Sequence, residues 1–274
     1  MRKLLFSLFL IIATLAQASV IDTIAVNSPS MKRKIGVTVI KPTKMPANPM
    51  PVVYLLHGYG DNNLIGYLSK TKVDTLADKM NVIIVIPDGG KSWYFDSPVD
   101  KTSRYETFVT KELIPYVDTH YRTIPNRENR AVTGLSMGGH GALYLAIRHQ
   151  DIFGAAGSMS GGVDFRPFPE KWNIKNVLGT KAAHPANWNN NTVIAQISKL
   201  KPKSLELIID CGTEDFFYQV NCNLHAELTK QGIPHEFTTR PGNHSWTYWN
   251  RSLRDHFLFF HDFFQRPASQ VQGK

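Results

Sequence analysis

The chain has 274 residues, of which 42% are hydrophobic and 19% are charged, and its formal net charge at pH 7 is +9. This composition is typical of a globular protein, and a domain of this length buries enough surface to exclude a need for a disulfide scaffold. The basic residues are scattered, apart from one short run at residues 32–34, so we expect a solvated surface and no nucleic-acid partner.

The first eighteen residues have the pattern of a secretory signal peptide. Arg2 and Lys3 precede an apolar run over residues 4–15, and Ala-Gln-Ala at residues 16–18 provides a small-x-small cleavage pattern. We therefore predict cleavage near Ala18 and a periplasmic or extracellular protein. A membrane anchor is the alternative, but the run is short for a bilayer-spanning helix, and we expect no stable membrane insertion.

The rest of the chain alternates apolar runs with helical patterns, which predicts a mainly parallel sheet covered by helices. Predicted strands cover residues 35–40, 51–56, 82–86, 129–133, 155–159, 205–210 and 236–239. Predicted helices cover residues 64–80, 105–120, 137–149, 216–230 and 245–264, with a kink expected at Pro115.

We expect a single domain over residues 19–266 and a flexible tail over residues 267–274. The segment 161–203 is rich in Pro, Asn, Trp and Gly and interrupts the alternation of strands and helices. We interpret this segment as an insertion that lies over one end of the functional site. The spacing of Cys211 and Cys222 permits either a disulfide after export or two buried thiols.

The sequence G-L-S-M-G at residues 134–138 matches the motif G-x-S-x-G, which is weak on its own. Here a predicted strand precedes the motif and a predicted helix follows it, so Ser136 is expected on a tight strand-turn-helix elbow. Such an elbow raises the hydroxyl above the carboxyl edge of the sheet and places it at a helix N-terminus. Ser136 is therefore the candidate nucleophile, and a glycine-rich turn without catalysis is the alternative.

A serine hydroxyl becomes a good nucleophile when a base removes its proton. In this architecture an acid and then a histidine follow the serine along the chain. Asp215 follows the predicted strand 205–210, and His244 follows the predicted strand 236–239. Both loops leave the sheet at the edge that carries the elbow, so the three side chains are expected to converge.

Other side chains compete for these two roles. Asp210 is expected inside the end of its strand and Glu214 to point away, so we prefer Asp215 as the acid. His140 lies near the site in the elbow helix, and His57 is expected to hold its own loop through a hydrogen bond. The other histidines that we weighed lie on helices away from this edge: His120, His149, His225 and His261.

Acyl transfer through a serine also requires hydrogen-bond donors for the oxyanion that forms. One donor is expected to be the backbone N–H of Met137, the residue after the candidate nucleophile. The other is expected from the loop H-G-Y-G at residues 57–60, where we choose the N–H of Tyr59. This chemistry needs no metal ion or cofactor.

Five blocks of sequence together resemble the esterase family of α/β-hydrolases that includes tributyrin-type esterases, S-formylglutathione hydrolase (esterase D), feruloyl esterases and mycolyltransferases. The blocks are L-L-H-G at 55–58, S-W-Y at 92–94, G-L-S-M-G-G-H-G-A at 134–142, C-G-T-E-D at 211–215 and P-G-N-H-S-W at 241–246. The resemblance extends from about residue 52 to residue 264. It implies an α/β-hydrolase fold, with helices on both faces of a mainly parallel central sheet.

The resemblance also implies roles for particular residues. Ser136, Asp215 and His244 match the family's catalytic triad, and Tyr59 and Met137 match its oxyanion donors. Trp93 and Tyr94 match positions that line the acyl pocket, and we prefer them to four other aromatic candidates, which are Phe95, Trp172, Trp188 and Trp246.

The expected function is that of an exported serine carboxylesterase, acting through an acyl-enzyme on short-chain or sugar-linked esters of the acetyl or feruloyl type. Three alternatives are an acyltransferase to a carbohydrate acceptor, a thioesterase similar to S-formylglutathione hydrolase, and a non-catalytic carbohydrate-binding protein. An intact triad argues against a purely binding role. The sequence leaves the acyl group, the alcohol and the oligomeric state open.

Overall fold

The structure is a computed structural model that describes residues 19–201 and 203–266. The predicted signal peptide, residues 1–18, and the predicted tail, residues 267–274, lie outside the described residues. Within the described part of the chain, no helix has both the length and the apolar character that crossing a bilayer requires.

Eight strands form one sheet in the order β1-β2-β4-β3-β5-β6-β7-β8. They are β1 Val20–Ser28, β2 Arg33–Lys41, β3 Val52–Leu56, β4 Ile83–Pro87, β5 Arg130–Gly134, β6 Ala155–Met159, β7 Glu206–Gly212 and β8 Glu236–Arg240. β2 pairs antiparallel with β1 and β4, and all other neighbours are parallel. Strands β3 to β6 are buried along their whole length, which explains their continuous apolar runs.

Helices cover both faces of this sheet, so the predicted architecture is confirmed. They are α1 Gly66–Lys70, α2 Val73–Met80, α3 Tyr105–Thr107, α4 Ile114–His120, α5 Met137–Arg148, α6 Ile174–Leu178, α7 Pro185–Asn190, α8 Val193–Gln196, α9 Tyr218–Lys230 and α10 Trp246–Gln265. The core on one face is formed with α1, α2 and α10, and the core on the other face with α3 to α9. The carboxyl ends of β5, β7 and β8 carry the loops that matter for function.

The first strand was not among the predicted elements. β1 forms a full-length hairpin with β2, from the pair Val20–Lys41 to the pair Ser28–Arg33. It lies at the edge of the sheet, and much of it is exposed or half-buried. An edge strand needs no continuous apolar run, so β1 lacks the signal that identified the central strands.

The predicted helix over residues 64–80 is wrong in one respect, because it is divided into α1 and α2. Thr71 has an extended backbone and ends α1, and its N–H and hydroxyl both donate to Tyr67 O, at 3.0 and 2.7 Å. Its Oγ1 accepts from the N–H of Val73, the first residue of α2, at 3.1 Å. One threonine therefore satisfies backbone groups at both helix ends.

The helical segment over residues 105–120 contains a π-helical turn, Phe108–Leu113, between α3 and α4. Pro115 lies at the start of α4, where its missing N–H cannot continue the regular hydrogen-bond ladder. The irregularity therefore lies just before the proline at which a kink was predicted.

Both cysteines are free thiols, Cys211 buried in β7 and Cys222 half-buried in α9. Burial raises the pKa of the Cys211 thiol well above its usual range, so this side chain stays protonated at neutral pH. The structure thus shows two thiols rather than a disulfide, of which only Cys211 is buried.

Candidate active site

The turn between β5 and α5 places Ser136 in a strained backbone conformation, with φ +55° and ψ −116°. A side chain at positive φ is unfavourable and persists only where surrounding contacts fix it. The Ser136 N–H donates to Met159 O at 3.0 Å, and the Ser136 carbonyl accepts from the N–H of Gly162 at 3.2 Å. β6 and the segment after it therefore hold the elbow.

The elbow also requires helix α5 to pass very close to strand β3. A β-carbon at Gly138 would lie 2.0 Å from the carbonyl oxygen of Leu56, and one at Gly134 would lie 2.5 Å from the same oxygen. Both distances are far below van der Waals contact, so these two positions accept only glycine without a backbone shift. The motif glycines are thus explained by packing.

Ser136, His244 and Asp215 lie in a continuous hydrogen-bonded row. His244 Nε2 is 2.9 Å from Ser136 Oγ, and His244 Nδ1 is 2.7 Å from Asp215 Oδ2. Because a carboxylate only accepts hydrogen bonds, Nδ1 carries a proton, and in the neutral ring Nε2 presents its lone pair to the serine hydroxyl. This arrangement suits abstraction of the hydroxyl proton.

The carboxylate of Asp215 is buried and held from a second direction. Its side chain is 0% exposed, and its Oδ1 accepts from the N–H of Phe217 at 2.8 Å. The two competing acids lie elsewhere: Asp210 is inside β7, and Glu214 is exposed. The acid that the loop presents to the imidazole is therefore Asp215.

The loops that carry Asp215 and His244 are bonded to each other. The N–H of Thr213 donates to Arg240 O, and the N–H of Glu214 donates to Gly242 O, both at 3.0 Å. Aromatic rings enclose the imidazole, with the Phe216 centroid at 4.2 Å and the Trp249 centroid at 4.8 Å from the ring centre of His244. The ring is thus confined to one orientation.

The loop at residues 57–60 lies against the elbow. A β-carbon at Gly58 would be 3.5 Å from the β-carbon of Ser136. His57 is fully buried, and its Nε2 accepts from the N–H of Gly89 at 2.8 Å, so its Nδ1–H donates to Gly58 O at 2.8 Å. His57 therefore has the loop-holding hydrogen bond that was expected, and it joins this loop to the one after β4.

The two positions proposed as oxyanion donors flank the nucleophile candidate. Met137 is the first residue of α5, where backbone N–H groups have no partner within the helix. Tyr59 is half-buried in the loop that contacts the elbow, and Lys91 Nζ lies 5.4 Å above its ring. Both backbone groups belong to elements that meet at Ser136.

Trp93 and Tyr94 are both buried and both have positive φ, +57° and +61°. The Tyr94 hydroxyl donates to His57 O at 3.2 Å, and its ring lies against Gly141 of the elbow helix. Trp93 packs edge-on against His140, whose ring nitrogens face Trp93 O and Asn191 O at 3.1 and 2.9 Å. These side chains support the loops around the site, and their place in an acyl pocket stays a prediction.

Two consecutive residues of the 161–203 segment connect the two sides of the site. The Trp172 ring stacks on Phe216, with 5.5 Å between centroids, and Asn173 Nδ2 donates to the Tyr59 hydroxyl at 2.7 Å. Both have positive φ, +52° and +50°. We call residues 172–173 the bridge. Asn173 and Phe216 belong to no motif that would have singled them out, and only the fold brings them here.

The chain is similar in sequence to known proteins. The Esterase family model, described as "Putative esterase", matches residues 28–260. The chain is 26% identical over 220 residues to an acetyl esterase of Caldicellulosiruptor saccharolyticus, with 76% of this chain and 82% of that protein covered. It is 30% identical over 275 residues to the diacylglycerol acyltransferase/mycolyltransferase Ag85A of Mycobacterium leprae (strain TN), with 86% and 81% covered.

Among solved structures, a ferulic acid esterase superposes with a TM-score of 0.78 at 29% identity, covering 90% of this chain and 98% of that one. Together with the eight-stranded, mostly parallel sheet, this similarity confirms the α/β-hydrolase fold that the sequence predicted.

The close approach of α5 to β3 makes Gly138 a sensitive position. We expect Gly138→Ala to lower the free energy of unfolding by about 3 kcal/mol, because the new methyl group meets backbone that cannot rotate away. Gly232→Ala is the control: its φ is +66° but nothing lies within 4 Å, so only backbone strain of about 1 kcal/mol is expected. Urea denaturation measures both free energies of unfolding. Equal losses in Gly138→Ala and Gly232→Ala would contradict the packing explanation.

Proposed function

Because the chain belongs to this esterase family, we propose that Ser136 is its nucleophile, His244 its general base and Asp215 the acid that orients the base. The observation that carries the proposal is the row of hydrogen bonds between them, 2.9 and 2.7 Å long. Along the sequence the three residues occur in the order serine, acid, histidine, which is the order found in α/β-hydrolases.

In the proposed reaction the Ser136 oxygen attacks the carbonyl carbon of an ester while His244 Nε2 takes the hydroxyl proton. The tetrahedral intermediate collapses when the imidazolium returns that proton to the departing alcohol, which leaves an acyl-enzyme. Water then attacks the acyl-enzyme while His244 takes one of its protons, and the imidazolium returns that proton to the Ser136 oxygen as the carboxylic acid leaves. Asp215 stabilises the imidazolium in both halves.

The developing oxyanion would be bound by the N–H groups of Met137 and Tyr59. A donor at a helix N-terminus faces negative charge with a favourable dipole, which supports Met137. The contact between the 57–60 loop and the elbow supports Tyr59. Removing one such donor typically raises the barrier by about 3 kcal/mol.

We propose short-chain or sugar-linked esters of the acetyl or feruloyl type as substrates, in an exported enzyme. The signal-peptide pattern at residues 1–18 supports export. The relatives named acetyl esterase and ferulic acid esterase support the ester class. The bridge supports a confined acyl site, since Trp172 stacks beside the ring that flanks His244.

Acyl transfer to a carbohydrate hydroxyl is the second candidate, favoured by the 30% identity to a protein named as an acyltransferase. The chemistry is the same up to the acyl-enzyme, after which a sugar replaces water. Product analysis in the presence of a sugar acceptor separates the two, because transfer yields an acylated sugar and hydrolysis yields only the free acid.

Substitution at the nucleophile tests the assignment. We expect Ser136→Ala to lower the turnover of p-nitrophenyl acetate, p-nitrophenyl butyrate and methyl ferulate by about a thousandfold or more, because Ser136 supplies the only hydroxyl on His244 Nε2 among the residues that the structure describes. If the variant retained the wild-type rate on every ester that the wild type cleaves, another residue would be the nucleophile.

The neighbouring acids offer a matched comparison. Asp215→Asn is expected to reduce kcat by about 10³- to 10⁴-fold, because the amide can donate to Nδ1 and favour the wrong tautomer of His244. Glu214→Gln removes an equal charge from the exposed position next to it and is expected to leave kcat near the wild-type value. The reverse pattern would assign the acid to Glu214.

The bridge predicts a change in acyl preference. We expect Trp172→Ala to raise the ratio of kcat/KM for p-nitrophenyl octanoate over p-nitrophenyl acetate about tenfold, because the lost indole opens space for a longer chain. Tyr116→Ala removes a half-buried ring that stacks on His120 in α4, and it should leave the ratio unchanged. An unchanged ratio in Trp172→Ala would exclude the bridge as a wall of the acyl site.

A further inference from the structure

A second row of acid, imidazole and hydroxyl groups lies buried on the α10 face of the sheet. His256 Nε2 is 2.9 Å from Asp210 Oδ2, and His256 Nδ1 is 2.7 Å from Thr133 Oγ1. Asp210 is 2% exposed, and the other two side chains are fully buried. No substrate can reach groups so completely covered, so this row takes no direct part in chemistry.

The row continues to the end of β8. Ser252 Oγ donates to the second carboxylate oxygen, Asp210 Oδ1, at 2.6 Å, and Arg240 Nη2 donates to Ser252 Oγ at 2.6 Å. Arg240 also pairs with Asp255, with 3.2 Å between Nη1 and Oδ2. The buried charge of Asp210 is thus balanced by two donors and a nearby guanidinium group, as burial of a carboxylate requires. We call the five residues of this row the buried network: Thr133, His256, Asp210, Ser252 and Arg240.

The directions of the hydrogen bonds in the buried network follow from the carboxylate of Asp210 at its centre. A carboxylate only accepts, so His256 Nε2 donates to Asp210. In the neutral imidazole Nδ1 then has only a lone pair, and the hydroxyl of Thr133 donates to it. Both hydroxyl protons and the carboxylate of Asp210 therefore have defined partners, and such a network rigidifies the elements that it joins.

The elements that are joined are those that carry the proposed triad. Thr133 lies in β5, three residues before Ser136. Asp210 lies in β7, five residues before Asp215, and Arg240 ends β8, four residues before His244. His256 and Ser252 both lie on α10, which begins two residues after His244.

The central strand β6 leaves room for the connection. A β-carbon at Gly157 would lie 2.4 Å from His256 Nδ1 and 2.8 Å from Thr133 Oγ1. Any larger residue at this position would break the contact between the imidazole and β5. The absence of a side chain at Gly157 is therefore what lets the network cross from β7 to β5 over β6.

We propose that Thr133, His256, Asp210 and Ser252 are positioning residues for the esterase reaction, because the buried network holds the serine, acid and histidine loops in register. This inference rests on the proposed function of Ser136, His244 and Asp215. Productive catalytic geometry tolerates errors of only about 0.5 Å, and a misplacement of about 1 Å can cost a hundredfold in rate. Loosening one strand end beneath the triad is therefore enough to slow the reaction.

The test compares two substitutions of one residue. Thr133→Val keeps the shape and removes the hydroxyl, while Thr133→Ser keeps the hydroxyl and removes only a methyl group. We expect kcat for p-nitrophenyl acetate to fall about tenfold to a hundredfold in Thr133→Val with little change in KM, and to stay within about threefold in Thr133→Ser. The rate at which a fluorophosphonate probe labels Ser136 should likewise fall more in Thr133→Val than in Thr133→Ser.

A merely structural role would lower the unfolding temperature of Thr133→Val but leave kcat per labelled site unchanged, and that result would overturn the inference. If Thr133→Val does not fold, Ser252→Ala is the second test, because it interrupts the network between Asp210 and Arg240. A wild-type kcat in Ser252→Ala would also overturn the inference. A wild type that neither labels at Ser136 nor cleaves any ester would instead refute the proposed function, and the inference with it.

Discussion

The strained backbone at Ser136 is the constraint on which the rest of the site depends. A residue other than glycine at φ +55° requires help from its surroundings, and here β6, Gly162 and the close packing of α5 on β3 supply that help. The same turn aims the hydroxyl at His244 and sets the first N–H groups of α5 beside it. The geometry at this edge of the sheet therefore depends on how closely helix α5 approaches strand β3.

At the candidate site the carboxylate of Asp215 is covered, whereas the imidazole of His244 is partly open to solvent. Asp215 has no exposed side-chain surface, while the imidazole of His244 is 15% exposed and flanked by Phe216 and Trp249. The carboxylate of Asp215 is thus removed from solvent, where a hydrogen bond to a charged group is stronger than in bulk water. In the buried network the imidazole of His256 is covered as completely as Asp210 and Thr133, which suits a role in holding rather than in reacting.

Much of the fold was predictable because its signals are local. Buried parallel strands appear as apolar runs, and the elbow motif appears between a strand and a helix, so the sequence alone brings Ser136, Asp215 and His244 forward as candidates. The edge strand β1 and the division at Thr71 lacked such signals. The bridge and the buried network were not predictable, because no sequence motif marks contacts such as Asn173 with Tyr59 and His256 with Thr133, and only the fold brings these residues together.

The central claim is that an acyl group passes through Ser136 under the control of His244 and Asp215. Mixing the mature protein with p-nitrophenyl acetate for milliseconds, quenching with acid and mapping the peptides by mass spectrometry tests this claim most directly. If Ser136 is the nucleophile, we expect a burst of p-nitrophenol and one acetyl group per chain, on the peptide that contains Ser136 and at that serine. Turnover with the acetyl group on another residue, or with no acetylated protein at any mixing time, would contradict it.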